Sequence, residues 1–332
     1  MPLPIIDPPL LNSACPWATT KEDLQALFDC RSTGAVTIRT SLIDGFDHNS
    51  SVHQYAFFDA INHAPQPAKS EHATPTSNGG SLNTLGYSPI PLAEYLSILK
   101  KVVQDSSLPD QVRPSKPFIV SVTGSAEAVA ECYRKIQETQ AHLSNPLCME
   151  INLSCPNIPD KPPPAYSSFA LAEYLQALVG VDIPADHRRV AVGIKTPPYT
   201  YHDQYQALID ALLSGSNPDG PVDFITATNT LGSCLVLKNG DGTPALNSAS
   251  GAGIGGMAGA PLHPLALGNV RTIRSMLDQH ERLKSIDIIG VGGVCDKASF
   301  ERMRSVGAAV MGVGTALGRE GVEVFEKIIQ GN

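Results

Sequence analysis

Eight times along the chain, a short and nearly continuous apolar run gives way to a segment with helical spacing. No other feature constrains the fold as much. The runs lie at 9–13 (PLLNS), 34–39 (GAVTIR), 117–123 (PFIVSVT), 148–153 (CMEINL), 190–195 (VAVGIK), 222–227 (VDFITA), 286–291 (IDIIGV) and 308–313 (AAVMGV). Strands buried on both faces read this way, because neither face needs polar alternation. Helical segments are expected at about 20–30, 91–104, 125–140, 167–180, 203–214, 263–279, 296–306 and 320–330, with Thr19 and Glu22 as a capping box at the first. Eight βα units predict an α/β fold closed as a (β/α)8 TIM barrel, one domain over residues 1–332. Residues 40–90 and 228–262 break the rhythm and predict inserted loops or hairpins at the C-terminal face of the barrel.

Composition narrows the function classes. With 42% hydrophobic residues the chain has the apolar content a folded core needs, which excludes a disordered segment. No apolar run reaches the 18 or so residues of a membrane span. The opening MPLPIIDPPLLNSACPW lacks the basic and continuous apolar regions of a secretory signal. A net charge of −8 with no Lys/Arg cluster argues against nucleic acid and against anionic membranes as partners. The seven cysteines (15, 30, 132, 148, 155, 234, 295) form no CxxC pair, so no metal or iron–sulfur site is expected, and reduced cytoplasmic thiols are.

In a barrel of this kind the chemistry sits where the strands end. After the fourth run, NLSCPN places Asn152, Ser154, Cys155 and Asn157 at the mouth, followed by a proline-rich stretch that stiffens the loop. Amides beside a thiol and a hydroxyl offer donors and acceptors to a planar, amide-rich ligand. A free cysteine is most often a small buried hydrophobe; between Asn and Pro at a strand end, a chemical role is the better reading. Lys195 ends the fifth run, where a structural ion pair is an equal alternative. Asn229 and Thr230 follow the sixth and by themselves read as a turn. GAGIGG (251–256), which precedes an expected helix, IIGVGG (288–293) and VGTALGREG (313–321) together predict a phosphate grip, since glycine lets backbone N–H groups approach closely and barrels bind phosphate after strands seven and eight. The spacing is not a dinucleotide fingerprint.

These residues resemble the class 1A dihydroorotate dehydrogenases, the fumarate-type enzymes of pyrimidine biosynthesis, over nearly the whole chain. The likeness rests on PLLNSACPWATTKEDLQAL, NTLGYSP, INLSCPNIPDKP, GIKTPPY, TNTLGS, GIGGMAGAPLHPLALGNVR, IIGVGGV and VGTALGREG. Cys where the membrane-bound class 2 enzymes carry Ser, together with KTPPY, resembles class 1A more than class 2 or class 1B, so no iron–sulfur partner subunit is expected. The resemblance implies an FMN flavoprotein oxidising dihydroorotate to orotate, with fumarate as acceptor and a homodimer as the assembly. It implies Cys155 as the base, and Asn83, Asn152, Asn157 and Asn229 with Thr230 around the pyrimidine. Backbone N–H groups near Leu85, Gly86 and Tyr87 would take the substrate carboxylate, and Lys195 would oppose charge on the reduced flavin. Ala14, Ser121 and Asn152 would touch the flavin, and Gly256, Gly292, Gly293, Gly314 and Thr315 would hold its phosphate.

Three departures bear on substrate. Arg39 stands where the family has a lysine facing both flavin and substrate, and arginine is a planar fork rather than a point charge. The following loop, DGFDHNSSVHQYAFF, carries no arginine where the family has an R-x-G-N-P-x-P-R-like segment, and an NSMGLPN-like segment has become NTLGYSP. The chain also stops short of the family's last helix. Two other readings therefore stay open. One is an FMN oxidoreductase acting on another cyclic amide or enoate; the other is a slow flavin-binding paralogue.

Overall fold

The structure, a computed structural model, describes residues 3–66, 79–157, 163–183, 188–214, 221–238 and 242–331. In chain order its elements are β1 (Leu10–Asn12), α1 (Lys21–Asp29), β2 (Val36–Thr37), β3 (Tyr55–Asp59), β4 (Pro65–Gln66), β5 (Gly79–Asn83), α2 (Leu92–Gln104), β6 (Phe118–Val122), α3 (Ala126–Gln140), β7 (Leu147–Asn152) and α4 (Ser168–Val179). Then follow β8 (Ala191–Thr196), α5 (His202–Leu213), β9 (Phe224–Ala227), β10 (Leu231–Cys234), β11 (Gly255–Gly259), α6 (His263–Leu277), β12 (Asp287–Val291), α7 (Lys297–Ser305), β13 (Val310–Val313), α8 (Thr315–Glu320) and α9 (Glu323–Gln330).

All eight expected runs are strands of one sheet in the order β1-β13-β12-β9-β8-β7-β6-β2, every pair parallel. A bridge between Leu11 and Ala35 joins the two ends of the sheet. Beside it the Asn12 side chain substitutes for a ladder rung. Its Nδ2 donates to Thr37 O at 2.6 Å, and its Oδ1 accepts from the Thr37 N–H at 2.9 Å. This buried amide satisfies two backbone groups that the short β2 would leave unpaired.

The inside of the barrel changes character along its axis. Leu11, Ala35, Ile119, Cys148, Ala191, Phe224, Ile289 and Val310 form one apolar layer, closed at the N-terminal end by Leu3 and Ile6. Side chains alternate faces along a strand, so four residues further on the chain again points inward. Those positions are Cys15, Arg39, Thr123, Asn152, Lys195, Thr228, Gly293 and Gly314. An apolar floor thus stabilises the barrel, and a polar upper layer is left for chemistry. The outward positions of the strands pack with the helices into the main core.

The two excursions do not stay separate. β3 and β4 form an antiparallel hairpin, β5 pairs with β3, and β11 pairs with both β5 and β10, giving one five-stranded antiparallel sheet, β10-β11-β5-β3-β4. Its period-2 alternation sends Phe58 and Leu82 to a small outer core with Val236 and Leu246. Its other face turns Tyr55, Ser81, Asn83 and Ala258 to the barrel mouth. Phe57, on that same face, stacks on Trp17 at 5.6 Å.

Three local expectations are corrected. The capping box of α1 is Thr20 with Asp23, one residue beyond Thr19 and Glu22, because the Asp23 carboxylate accepts both the Thr19 and Thr20 N–H groups. The helix expected over 320–330 is α9, which starts only at Glu323; a short additional helix, α8, precedes it and ends at Gly321, whose φ of 75° lies outside helical space. GAGIGG leads into strand β11 rather than directly into a helix.

Candidate active site

The strand ends and the excursion sheet frame a cleft. Of the residues singled out from the sequence, Ala14, Arg39, Asn83, Leu85, Gly86, Tyr87, Asn152, Cys155, Asn157, Lys195, Asn229, Thr230, Gly292, Gly293, Gly314 and Thr315 all line it. Ser121, Ser154 and Gly256 do not. Ser121 lies beneath, in a hydrogen-bonded chain with Thr40 and Glu150. Gly256 sits on β11, where an added Cβ would meet Thr230 Oγ1 at 2.2 Å and its carbonyl accepts from Asn83 Nδ2 at 3.1 Å. The proline-stiffened stretch after Asn157 falls partly on 158–162, outside the described residues.

The asparagines work in two pairs. Asn157 Nδ2 donates to Asn83 Oδ1 at 2.8 Å and to Leu85 O at 2.9 Å, tying the loop after β7 to the loop after β5. Asn229 Nδ2 donates to Asn152 Oδ1 at 3.1 Å and to Ser154 Oγ at 2.9 Å, tying the ends of β9 and β7. Each amide is therefore fixed by another, which preorganises the polar wall.

Charge in the lining is one-sided. Among the described residues of the lining the charged side chains are Arg39 and Lys195, both buried, and no carboxylate joins them. Lys195 Nζ donates to Ser13 Oγ at 3.0 Å. Arg39 Nη2 donates to Gly86 O at 3.1 Å, and burial lowers its pKa. Such a wall suits an anionic ligand, because paired charge is what makes buried cations tolerable.

Two thiols share the cleft. Burial pushes Cys15 up to about 12. Burial also raises Cys155, but the Asn157 N–H, Lys195, the Tyr87 hydroxyl and Arg39 all pull the other way and favour its thiolate.

At its far end the cleft adjoins a small recess, sharing Gly259, Gly293, Gly314 and Thr315 with it. Gly293 has φ of 72°, and an added Cβ would meet His263 Cβ at 2.6 Å and Gly259 O at 2.9 Å. His263 is neutral here. Its Nε2 accepts from Arg302 Nε at 3.1 Å while Nδ1 donates to Gly292 O at 2.7 Å, and burial lowers its pKa. Arg319 also lines the recess, with its Nε buried and without a partner among the described residues and its Nη1 donating to Gln66 Oε1 at 2.6 Å. Sequence reasoning missed Arg319, Gly259 and Thr228. Arg319 lies inside the Gly-rich VGTALGREG segment, and inward parity on β9 points to Thr228.

A parallel barrel with a thiol, paired amides and two buried cations at its mouth, and a glycine recess beside them, defines a barrel enzyme for an anionic, amide-bearing substrate. The chain belongs to the dihydroorotate dehydrogenase family, a family of oxidoreductases, whose sequence profile its residues 49–331 match. It is 29% identical over 324 residues, 96% of the chain and 86% of the relative, to "Putative dihydroorotate dehydrogenase A (fumarate)" of Streptococcus equi. A protein of the same name from Streptococcus agalactiae is 28% identical over 323 residues, with the same coverage. In fold it is similar to the crystal structure of ligand-free DHODH from Eimeria tenella, with a TM-score of 0.69 at 17% identity over 97% of this chain and 82% of that one. The complex of that enzyme with ferulenol gives a TM-score of 0.68 at 15% identity, over 97% and 79%. Among the described residues no helix is long and apolar enough to cross a membrane.

Proposed function

We propose that this chain is an FMN-dependent dihydroorotate dehydrogenase of the fumarate type, producing orotate for pyrimidine biosynthesis. The observation that carries this is the lining of one cleft. It holds a buried thiol whose burial is opposed by the Asn157 N–H, Lys195, Tyr87 and Arg39, four asparagines in two braced pairs, and two buried cations without a carboxylate. Relatives named for fumarate support that acceptor.

The residues present fit FMN. The recess keeps glycine backbone where a side chain would intrude, Arg319 brings a cation to it, and the buried Thr228 hydroxyl in the cleft has no partner among the described residues. Gly259, Gly292, Gly293, Gly314 and Thr315 would hold the phosphate, and Ala14, Asn152 and Lys195 the ring. When bound, FMN would supply the two-electron acceptor for the hydride leaving C6 of dihydroorotate, with fumarate as the final acceptor. Cys155 removes the proton from C5. Asn83, Asn152, Asn157 and Asn229 fix the pyrimidine amides, and Thr230 lies beside them. Arg39 and the backbone N–H groups of Leu85, Gly86 and Tyr87 receive the carboxylate. Lys195 stabilises negative charge that develops as electrons leave the substrate. All seven cysteines are free thiols, as a cytoplasmic enzyme would keep them, and a homodimer is the assembly we expect.

Anaerobic titration with dihydroorotate tests the reading. The oxidised flavin absorbance should bleach and return on adding fumarate. A flavin that stays oxidised would favour the second reading, oxidation of another cyclic amide or enoate, which Arg39 and the altered 43–58 loop after it support.

A further inference from the structure

Gly292 and Gly293, just past the end of β12, pack directly on the first turn of α6. An added Cβ on Gly292 would meet Ala266 Cβ at 2.5 Å, and one on Gly293 would meet His263 Cβ at 2.6 Å. His263, the first residue of α6, is buried and lines neither the cleft nor the recess, whereas Gly293 lines both.

The hydrogen bonds of His263 admit one arrangement. Arg302 Nε has only a hydrogen to give, so His263 Nε2, 3.1 Å away, accepts it. The Gly292 carbonyl oxygen has only lone pairs, so Nδ1, 2.7 Å away, carries the ring hydrogen and donates it. Arg302, on α7, thus fixes the tautomer, and the tautomer fixes the carbonyl.

The consequence falls on the next amide. The Gly292–Gly293 peptide is trans and planar, so its N–H points opposite to its C=O. With the oxygen held toward His263, the Gly293 N–H is turned to the other side, where the cleft and the recess lie. Among the described residues this N–H makes no backbone hydrogen bond. A peptide donor left open on a glycine lining is a donor for an anion.

We propose that His263 is a positioning residue of the cofactor grip: by holding the Gly292 carbonyl it aims the Gly293 N–H at the FMN phosphate, a role that rests on the reading of the recess as the phosphate site. Arg302 acts one step further back, through the ring. Neither side chain touches the cofactor. The gain is specific to the phosphate, because a backbone N–H facing an anion is a charge-assisted donor, and riboflavin has no anion there for it to meet.

Fluorescence titration of the full chain, freed of flavin, with FMN and with riboflavin tests this role. Wild type should prefer FMN. His263→Leu removes the donor to Gly292, so the FMN Kd should rise by about tenfold or more while the riboflavin Kd holds, and the preference shrinks. His263→Asn puts an amide N–H near the place of Nδ1 and should recover most of the preference. Phosphorus NMR of bound FMN should show the same order, shifted in His263→Leu and close to wild type in His263→Asn. A packing defect weakens both flavins together and is not rescued by Asn. Should His263→Leu not fold, Arg302→Met frees the ring from outside the recess and should shrink the preference by a smaller factor. A wild-type preference that survives in His263→Leu, or in Arg302→Met, overturns the positioning role while leaving the phosphate site standing. A wild-type chain that binds both flavins alike removes the phosphate site itself, and the FMN reading with it.

Discussion

Lys195 Nζ donates to Ser13 Oγ at 3.0 Å inside the barrel, and among the described residues no carboxylate comes within ion-pair distance of it. A buried lysine that serves stability is normally paired. This one ends β8 beside Asn152 and Thr226 in the sheet register, facing the cleft. Its charge is therefore available to the reaction. Lys195→Met, similar in length and uncharged, should keep FMN bound but slow flavin reduction by about 10²–10³-fold. It should also lower the flavin midpoint potential. Stopped-flow reduction and a spectroscopic redox titration measure both, and an unchanged rate would return Lys195 to a packing role.

Cys155 sets the pH dependence. Burial raises its pKa and four neighbours lower it, leaving the thiol above its ordinary value. The thiolate is the active form, so the sign is fixed: flavin reduction should climb with pH and level off only above about 8.5, the ordinary thiol value. Cys155→Ala should reduce the rate by about 10²–10⁴-fold and remove the limb. A profile that falls across neutral pH would exclude a thiolate base.

Much of this was legible in the sequence because barrel strands carry their own register. Once NLSCPN ends one strand and GIK another, inward parity and strand ends bring Asn152, Cys155 and Lys195 to one mouth. The excursion sheet was not legible. Its pairings, Gly256 with Asn83 and Ala258 with Ser81, join segments more than 170 residues apart, and local patterning says nothing about such partners. For that reason Gly256 reads as a phosphate glycine in sequence, while in the fold it backs Thr230 and holds Asn83. Ser121 shows the opposite limit. Parity turns it inward, but depth along the barrel axis, which parity does not report, puts it one layer below the cleft.

At that depth Ser121 closes a one-way chain of donors. Asn152 Nδ2 donates to Thr40 Oγ1 at 2.9 Å, Thr40 meets Ser121 at 3.0 Å, and Ser121 donates to the buried Glu150 carboxylate at 2.8 Å. Ser121→Ala leaves that carboxylate short of a donor, a loss of about 1–3 kcal/mol. The expected result is a melting temperature lower by a few degrees with FMN affinity unchanged. A tenfold weaker FMN complex would instead mean that Ser121 contacts the flavin.

Arg39 spends one donor on the Gly86 carbonyl and faces the cleft with the rest of its fork. Lysine has a single ammonium and no fork, so it cannot reproduce both contacts with the same geometry. Arg39→Lys should raise the KM for dihydroorotate by about tenfold or more while the saturating rate of flavin reduction changes little. Equal KM values would place Arg39 outside substrate binding and weaken the case that the altered loop resets specificity.

Two glycines separate cofactor grip from substrate grip. At Gly293 the φ of 72° disfavours any side chain, and an added Cβ would press on His263 and on the Gly259 carbonyl. That disturbs the recess from both sides, so Gly293→Ala should purify with little flavin and an FMN Kd raised by about 100-fold or more. At Gly256 the added Cβ meets Thr230 Oγ1 at 2.2 Å and reaches Pro156 at 3.4 Å, both on the substrate side. Gly256→Ala should therefore keep its flavin and show its defect in KM for dihydroorotate. Flavin content per chain and fluorescence titration of the apoprotein with FMN distinguish the two variants. The reverse pattern, flavin lost at Gly256 and kept at Gly293, would move the phosphate grip to β11 and away from the ends of β12 and β13.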